Sequence, residues 1–187
     1  MLNKLAIQAT DYLLMQNAID ESEKEIIIYG IEITLSTFGY IFSIIIISFL
    51  LNNPIFSLLF MAFFMTERLF IGGYHSSTYF HCFLITNMLF FLVSLIAIIT
   101  PAWLSSYLLS AVVVVSWPYM FFKAPVINER NPLSKRRLEK NKYRGRRVIT
   151  VQACVILFGI IFFPSLSHLF YFASLSYFAA FILLIIA

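Results

Sequence analysis

The chain is 187 residues long, with 61% hydrophobic residues, 12% charged residues and a formal net charge of +4 at pH 7. Its mean hydropathy is +0.90. Because a soluble domain is about half apolar and a quarter charged, this composition excludes a soluble globular protein and predicts one integral-membrane domain over residues 1–187.

The first segment, residues 1–25, carries apolar side chains at helical spacing instead of one uninterrupted apolar run. The apolar positions are Leu2, Leu5, Ala6, Ala9, Tyr12 and Leu13. This pattern predicts an amphipathic helix that lies on the membrane surface. A cap helix packed on the bundle fits the pattern equally well. The polar residues within the segment disfavour a cleavable signal peptide.

Six later segments are apolar enough to be candidate membrane spans, each needing about 20 apolar residues. They cover residues 29–51, 55–71, 82–100, 102–122, 148–163 and 166–187. The second is interrupted by Glu67 and Arg68, and the fifth is short. The sequence therefore predicts an all-α polytopic membrane protein with about six transmembrane helices and an N-terminal amphipathic helix.

Basic residues are concentrated in residues 123–147, which we predict to be a cytoplasmic loop. They are Lys123, Arg130, Lys135, Arg136, Arg137, Lys140, Lys142, Arg144, Arg146 and Arg147. Cytoplasmic loops carry an excess of Lys and Arg. Counting spans from this loop places both termini and the segment from His75 to Cys82 on the cytoplasmic side. Topology alone explains the loop, but it could also bind an acidic peptide or anionic lipid.

His75 and Cys82 lie seven residues apart between the second and third predicted spans. An imidazole and a thiol are the two groups of an activated sulfur nucleophile. In a straight helix they would be roughly 10 Å apart along the axis, so a catalytic pair requires a loop or re-entrant turn around residues 72–80. Gly72 and Gly73 permit such a break. The alternative is an interfacial histidine beside a buried thiol.

Glu67 and Arg68 lie near the end of the second predicted span. Ionisable side chains in a membrane are costly and often functional, so both are candidate substrate-binding residues. Arg68 could hold a substrate carboxylate, and Glu67 could orient His75. The alternative is that both side chains reach the interface and the lipid headgroups. The sequence contains no metal-ligand cluster, phosphate-binding loop or nucleic-acid motif, so we expect no metal, cofactor or nucleic-acid partner.

The pattern Arg68-x-x-x-Gly72-Gly73-Tyr74-His75-Ser76 followed by Cys82 resembles the signature of the accessory gene regulator B (AgrB) peptidases. The resemblance extends over about residues 23–150. It includes the segment 25–32, the sequence Ala124-Pro125-Val126, and Asn131-Pro132-Leu133 followed by a basic stretch. The family consists of bacterial integral-membrane cysteine endopeptidases.

The resemblance implies that Cys82 is the nucleophile and His75 the catalytic histidine. It implies cleavage of the C-terminal tail of a quorum-sensing pro-peptide through an acyl-thioester, and cyclisation to an autoinducing peptide at the bacterial plasma membrane. The family's pro-peptides have an amphipathic leader and an acidic tail, to which Lys135, Arg136 and Arg137 would be complementary. The resemblance is also compatible with a homodimer.

Two other functions remain open on the sequence. A non-enzymatic peptide exporter or transporter subunit would explain several spans and the Glu67-Arg68 pair without catalysis. It predicts charged side chains along a mid-bilayer path, and few are present. An inactive scaffold derived from the peptidase is the third hypothesis, against which the presence of both His75 and Cys82 argues.

Overall fold

A computed structural model describes residues 2–73, 78–126 and 135–187, with only the backbone described for residues 2, 102–110 and 135–137. The described residues are mostly helical and include no strand. Its α-helices are α1 (Leu2–Met15), α2 (Lys24–Leu50), α3 (Ile55–Phe60), α4 (Thr66–Ile71), α5 (Tyr79–Ile99), α6 (Ala102–Lys123), α7 (Lys135–Phe162) and α8 (Ser167–Ile185). A π-helical turn, Met61–Met65, joins α3 to α4.

The all-α membrane architecture is confirmed. Within the described residues, four stretches are long and apolar enough to cross a membrane. They are Glu21–Leu50, Tyr79–Ile99, Leu138–Phe162 and Pro164–Ile185. The second predicted span is a continuous helical stretch over 55–71 that contains the π-helical turn. In α6, the described apolar portion is Ala111–Lys123.

Helix α8 lies at the centre of the bundle and packs against α3, α4, α5, α6 and α7. Its side chains are buried on nearly every face, as expected for a helix that is apolar all round. Phe172 has no exposed surface and stacks on Phe56 of α3 at 3.9 Å between ring centroids. The outer helices expose large apolar side chains, such as Phe38 and Phe42 of α2, which suits contact with lipid.

The N-terminal helix predicted from the spacing is present as α1, which packs on the start of α2. Its Asn3 side chain donates to Glu32 at 2.8 Å, and its Asp11 pairs with Lys24 at 3.0 Å. Its opposite side leaves Tyr12 and Met15 largely exposed. The helix is therefore packed on the bundle while it presents an apolar surface suited to the predicted membrane interface.

The prediction of a loop over residues 123–147 is wrong for its second half. Helix α7 begins at Lys135 and continues without interruption to Phe162. Arg, Lys and Leu are good helix formers, and Gly145 does not end the helix. A Cβ at Gly145 would lie 3.1 Å from the Ile71 side chain, so the glycine lets α7 pack closely on α4. Residues 127–134 lie outside the described part.

A second close approach, between α7 and α8, gives a test of the packing. An ideal Cβ on Gly159 would lie 2.0 Å from the Phe170 ring. We expect Gly159→Ala to displace that ring and lower stability by about 1–3 kcal/mol. The measurement is thermal unfolding in detergent. Gly39→Ala is the control, since a Cβ there meets no atom within 4 Å. Equal melting of both variants would contradict the described packing.

Candidate active site

The junction between α4 and α5 is a break in the helical backbone. Gly72 and Gly73 follow α4 with φ angles of 75° and 113°, in the region that favours glycine. On the other side, Thr78 is extended and caps α5, its hydroxyl accepting from the His81 amide at 3.2 Å. The break predicted around residues 72–80 is therefore confirmed at Gly72, Gly73 and Thr78. The candidate base, His75, lies outside the described residues.

Both glycines at this junction stand where a side chain would meet other backbone. A Cβ on Gly72 would lie 2.9 Å from the Val126 carbonyl oxygen, while the Val126 amide donates to the Ile71 carbonyl at 3.0 Å. A Cβ on Gly73 would lie 3.2 Å from the Leu183 carbonyl oxygen of α8. The junction is thus enclosed by the segment after α6 and by the end of α8.

The candidate nucleophile, Cys82, lies in the first turn of α5 and is half-buried. Its amide donates to the Thr78 carbonyl at 3.2 Å. The first turn of a helix favours negative charge, because unsatisfied amides and the helix dipole point there. A thiolate at this position would benefit from that field. The other cysteine, Cys154, is exposed on α7.

Arg68 lies in the last turn of α4 and Cys82 in the first turn of α5, so the two residues flank the α4–α5 junction. Cys82 and Tyr40 of α2 are near enough to influence the charge of Arg68, but no hydrogen bond among the described residues joins either of them to it. The Nη1 atom of Arg68 is buried and has no hydrogen-bond partner among the described residues. Tyr40 was not a predicted site residue, and a tyrosine within an apolar span gives no signal by which to find it.

Glu67 points in a different direction from Arg68 and has no exposed surface. Neither of its carboxylate oxygens has a hydrogen-bond partner among the described residues. The alternative that Glu67 reaches the lipid headgroups is therefore wrong, since packed helices enclose it. A direct contact between Glu67 and substrate would require those helices to open.

The π-helical turn before Glu67 is held by Gln152 of α7. The Gln152 amide group donates to the Ala62 carbonyl at 2.9 Å and to the Thr66 hydroxyl at 2.7 Å. A π-turn widens the helix and disturbs its regular hydrogen bonds, and such turns are frequent at functional sites. Gln152 was missed by sequence reasoning, although a polar side chain within an apolar span was a usable signal.

The basic residues of α7 lie at the same end of the bundle as the α4–α5 junction, because Gly145 contacts the end of α4. The backbone of Lys135, Arg136 and Arg137 forms the start of α7, and their side chains lie outside the described part. The Arg146 side chain is turned inward. It donates to the Phe121 carbonyl at 3.0 Å, and its guanidinium lies over the Phe121 ring. The exposed cations that follow the start of α7 are Lys140, Lys142, Arg144 and Arg147.

The opposite end of the bundle contains a separate cleft of about 310 Å³. It is lined by residues that include Asn53, Thr100, His168 and Tyr171. The cleft lies where the turn after α2, the turn after α5 and the start of α8 meet. Cys82 lies at the other end of α5, at its start. The cleft and the α4–α5 junction are therefore different sites.

Comparisons with known proteins agree on one family. The family model described as Accessory gene regulator B matches residues 6–187. AgrB-like protein 1 of Clostridium perfringens (strain 13 / Type A) is 29% identical to this chain over 163 residues. That alignment covers 87% of this chain and 84% of the relative. No solved structure matches the chain.

Proposed function

Because this chain belongs to the accessory gene regulator B family, we propose that it is a membrane-embedded cysteine endopeptidase that matures a quorum-sensing pro-peptide. Family membership supports a role in processing the agr quorum-sensing peptide. The observation that carries the proposed chemistry is the position of Cys82. It lies in the first turn of a helix, directly after a glycine-bearing break in the backbone.

The first half of the reaction forms an acyl-enzyme. His75 takes the proton of Cys82, which gives a thiolate and an imidazolium. The thiolate attacks the carbonyl carbon of the peptide bond before the C-terminal tail. As the tetrahedral intermediate collapses, the carbon–nitrogen bond breaks and His75 returns the proton to the leaving amine. The tail departs, and the rest of the pro-peptide remains on Cys82 as a thioester.

The second half closes the ring. A thiol or hydroxyl within the bound peptide gives its proton to His75 and attacks the thioester carbonyl. A new thioester or ester bond forms within the peptide, and the Cys82 thiolate leaves. Water competes for the same carbonyl, so cyclisation requires a site that excludes water. Burial of the α4–α5 junction against α8 and the segment after α6 supports such exclusion.

For the substrate, we propose a short pro-peptide with an amphipathic leader and an acidic tail. The exposed cations of α7 at the end of the bundle that carries Cys82 support the tail assignment. The excess of Lys and Arg there also supports a cytoplasmic location for this end, and for both termini, in the bacterial plasma membrane. A homodimer remains part of this proposal.

The test is to express the protein in cells together with a tagged pro-peptide. The peptide is then analysed by mass spectrometry. The proposal expects a tail-free product that is lighter by one water than the linear product of hydrolysis. It also expects an acyl adduct on Cys82 in quenched samples. A tail that remains attached in the presence of the folded protein would overturn the proposal.

The basic segment gives a separate prediction. Neutralising Lys135, Arg136 and Arg137 together is expected to lower processing by about 100-fold, since each cation near an anionic partner contributes on the order of 1 kcal/mol and three are removed. The difference from the unaltered protein should shrink as salt is raised, because exposed charges are screened. The measurement is the initial processing rate at several salt concentrations. Unchanged rates at every concentration would exclude recognition of the tail by these residues.

A further inference from the structure

The π-helical turn Met61–Met65 lies where the chain changes its packing partners. Before the turn, α3 packs against α8 and α2, whereas after it α4 packs against α7 and α8. A π-turn closes its hydrogen bonds over one more residue than an α-helix does. The segment that follows is therefore rotated by about 100° from the position that an uninterrupted α-helix would give it. The turn thus determines which side of α4 meets α7.

Gln152 of α7 is joined to this turn by hydrogen bonds. Its side-chain nitrogen donates to the Ala62 carbonyl at 2.9 Å and to the Thr66 hydroxyl at 2.7 Å, and the Phe63 carbonyl lies 3.4 Å from it. The Thr66 hydroxyl donates in turn to the Ala62 carbonyl and, at 3.3 Å, to the Phe63 carbonyl. These donors lie outside the backbone ladder and compensate for the regular helical bonds that the turn disturbs.

Three close approaches after the turn depend on the rotation of α4. A Cβ on Gly145 of α7 would lie 3.1 Å from the Ile71 side chain. A Cβ on Gly72 would lie 2.9 Å from backbone after α6, and one on Gly73 would lie 3.2 Å from backbone of α8. Rotating α4 by one residue would turn Ile71 away from α7 and displace both junction glycines. The enclosure of the α4–α5 junction is therefore linked to the π-turn.

We propose that Gln152 is a positioning residue of the peptidase, which stabilises the π-turn and so fixes the rotation of α4 and the shape of the α4–α5 junction before Cys82; this inference rests on the proposed function. Without the Gln152 donor, regular α-helical bonds replace the π-turn. Helix α4 then rotates by about 100° and advances by about 1.5 Å. Gln152 does not contact the reacting atoms and acts through α4.

The rotation of α4 can be measured with an engineered disulfide. The Cγ2 atom of Ile71, which lies 3.1 Å from an ideal Gly145 Cβ, is bonded directly to the Ile71 Cβ. The two Cβ atoms therefore approach the separation of about 3.5–4.5 Å that a disulfide requires. Full-length protein with Ile71→Cys, Gly145→Cys, Cys82→Ala and Cys154→Ala should form this bond in membranes under mild oxidation. Because this protein lacks the nucleophile, it reports the rotation of α4 independently of peptide processing.

In this background, Gln152→Met removes the donor and keeps a side chain of similar size. It is expected to slow disulfide formation by about tenfold or more, because cysteines whose Cβ atoms point apart cannot be bridged without backbone movement. Deleting the exposed residue Ala62 removes the extra residue of the turn and should leave a regular α-helix with α4 in its original rotation. Gln152→Met should then have no effect on disulfide formation.

Thr150→Val is the matched control on α7. It removes a hydrogen bond between helices that does not involve the π-turn, in which the Trp117 indole donates to the Thr150 hydroxyl at 3.1 Å. Disulfide formation should proceed at the unaltered rate in this variant.

The effect on the reaction is measured in the protein that retains its own cysteines. Gln152→Met is expected to lower the processing rate at saturating pro-peptide by about 100-fold, the effect of a displacement of about 1 Å in a site. The half-saturating concentration should change by no more than about twofold, because the loss is in the transition state and not in ground-state binding. Deleting Ala62 from the Gln152→Met protein should restore the rate.

Three results would overturn the inference. Disulfide formation that is unaffected by Gln152→Met would mean that the residue does not fix the rotation of α4. An equal loss in Thr150→Val would mean that any weakening of α7 packing has the same effect. A loss that deletion of Ala62 does not reverse would mean that Gln152 acts through something other than the π-turn. If the unaltered protein processes no peptide, the proposed function fails, while the disulfide comparison still decides the rotation of α4.

Discussion

Replacing Cys82 by alanine is expected to reduce pro-peptide processing by about 10⁴-fold or more, because removal of a covalent nucleophile eliminates the acyl-enzyme route. Cys82 lies in the first turn of α5, where a mutation from a half-buried thiol to a methyl group creates only a small packing change. The loss should therefore appear in the chemistry and not in the amount of folded protein. The measurement is the rate at which the tail-free peptide appears in membranes that contain each variant.

Cys154→Ala is the matched control, since the second thiol is exposed to the outside of α7. It should process the peptide at the unaltered rate and still form the acyl adduct. An exporter or transporter subunit makes the opposite prediction, because transport does not require the thiol. Full processing in membranes that contain Cys82→Ala would therefore exclude Cys82 as the nucleophile, and unchanged export of the peptide by that variant would favour transport.

Replacing His75 by alanine is expected to lower processing by about 10³-fold, the usual range for loss of a general acid and base. It should also lower alkylation of Cys82 at pH 7 by about tenfold or more. An isolated thiol is only a few per cent thiolate at this pH, so a thiolate–imidazolium pair can raise the reactive fraction by up to about 30-fold. The measurement is the rate of iodoacetamide labelling against pH, in the Cys154→Ala protein.

The pH dependence of the labelling rate distinguishes a coupled Cys82–His75 pair from two groups that titrate independently. With His75 present, labelling should remain fast down to the pH at which the pair takes up a proton. In the His75→Ala protein, the labelling rate of Cys82 should rise steadily as the solution becomes alkaline. His81→Ala and His168→Ala are the controls, since His168 lies in the cleft at the opposite end of the bundle. Labelling that is insensitive to His75→Ala at every pH would argue against an assembled pair in the substrate-free protein.

The features that could be predicted from the sequence are those that depend on local chemistry. Apolar runs of sufficient length predicted an all-α membrane protein, because a membrane-spanning backbone must satisfy its own hydrogen bonds. The pair Gly72-Gly73 predicted a helix break, and both residues adopt φ angles that other residues disfavour. The spacing of apolar residues before Asp20 predicted a helix, which is present as α1.

The features that were missed depend on contacts between distant helices. The π-helical turn at Met61–Met65 is stabilised by Gln152, which lies far along the chain on α7. The basic segment was predicted to be a loop because its charge was interpreted through topology, whereas its residues also favour a helix. The position of Arg68 beside the α4–α5 junction depends on how α4 packs against α7 and α8, and apolar patterning does not encode this.

The central position of α8 constrains how the protein can be made. Every helix that α8 packs against is synthesised before it, so during translation α3, α5, α6 and α7 enter the membrane without the element that joins them. Contacts between segments so distant in sequence form late and slowly. The wall of the α4–α5 junction formed by Leu183 is therefore absent until the ribosome has completed α8, so the junction is the last part of the bundle to be enclosed.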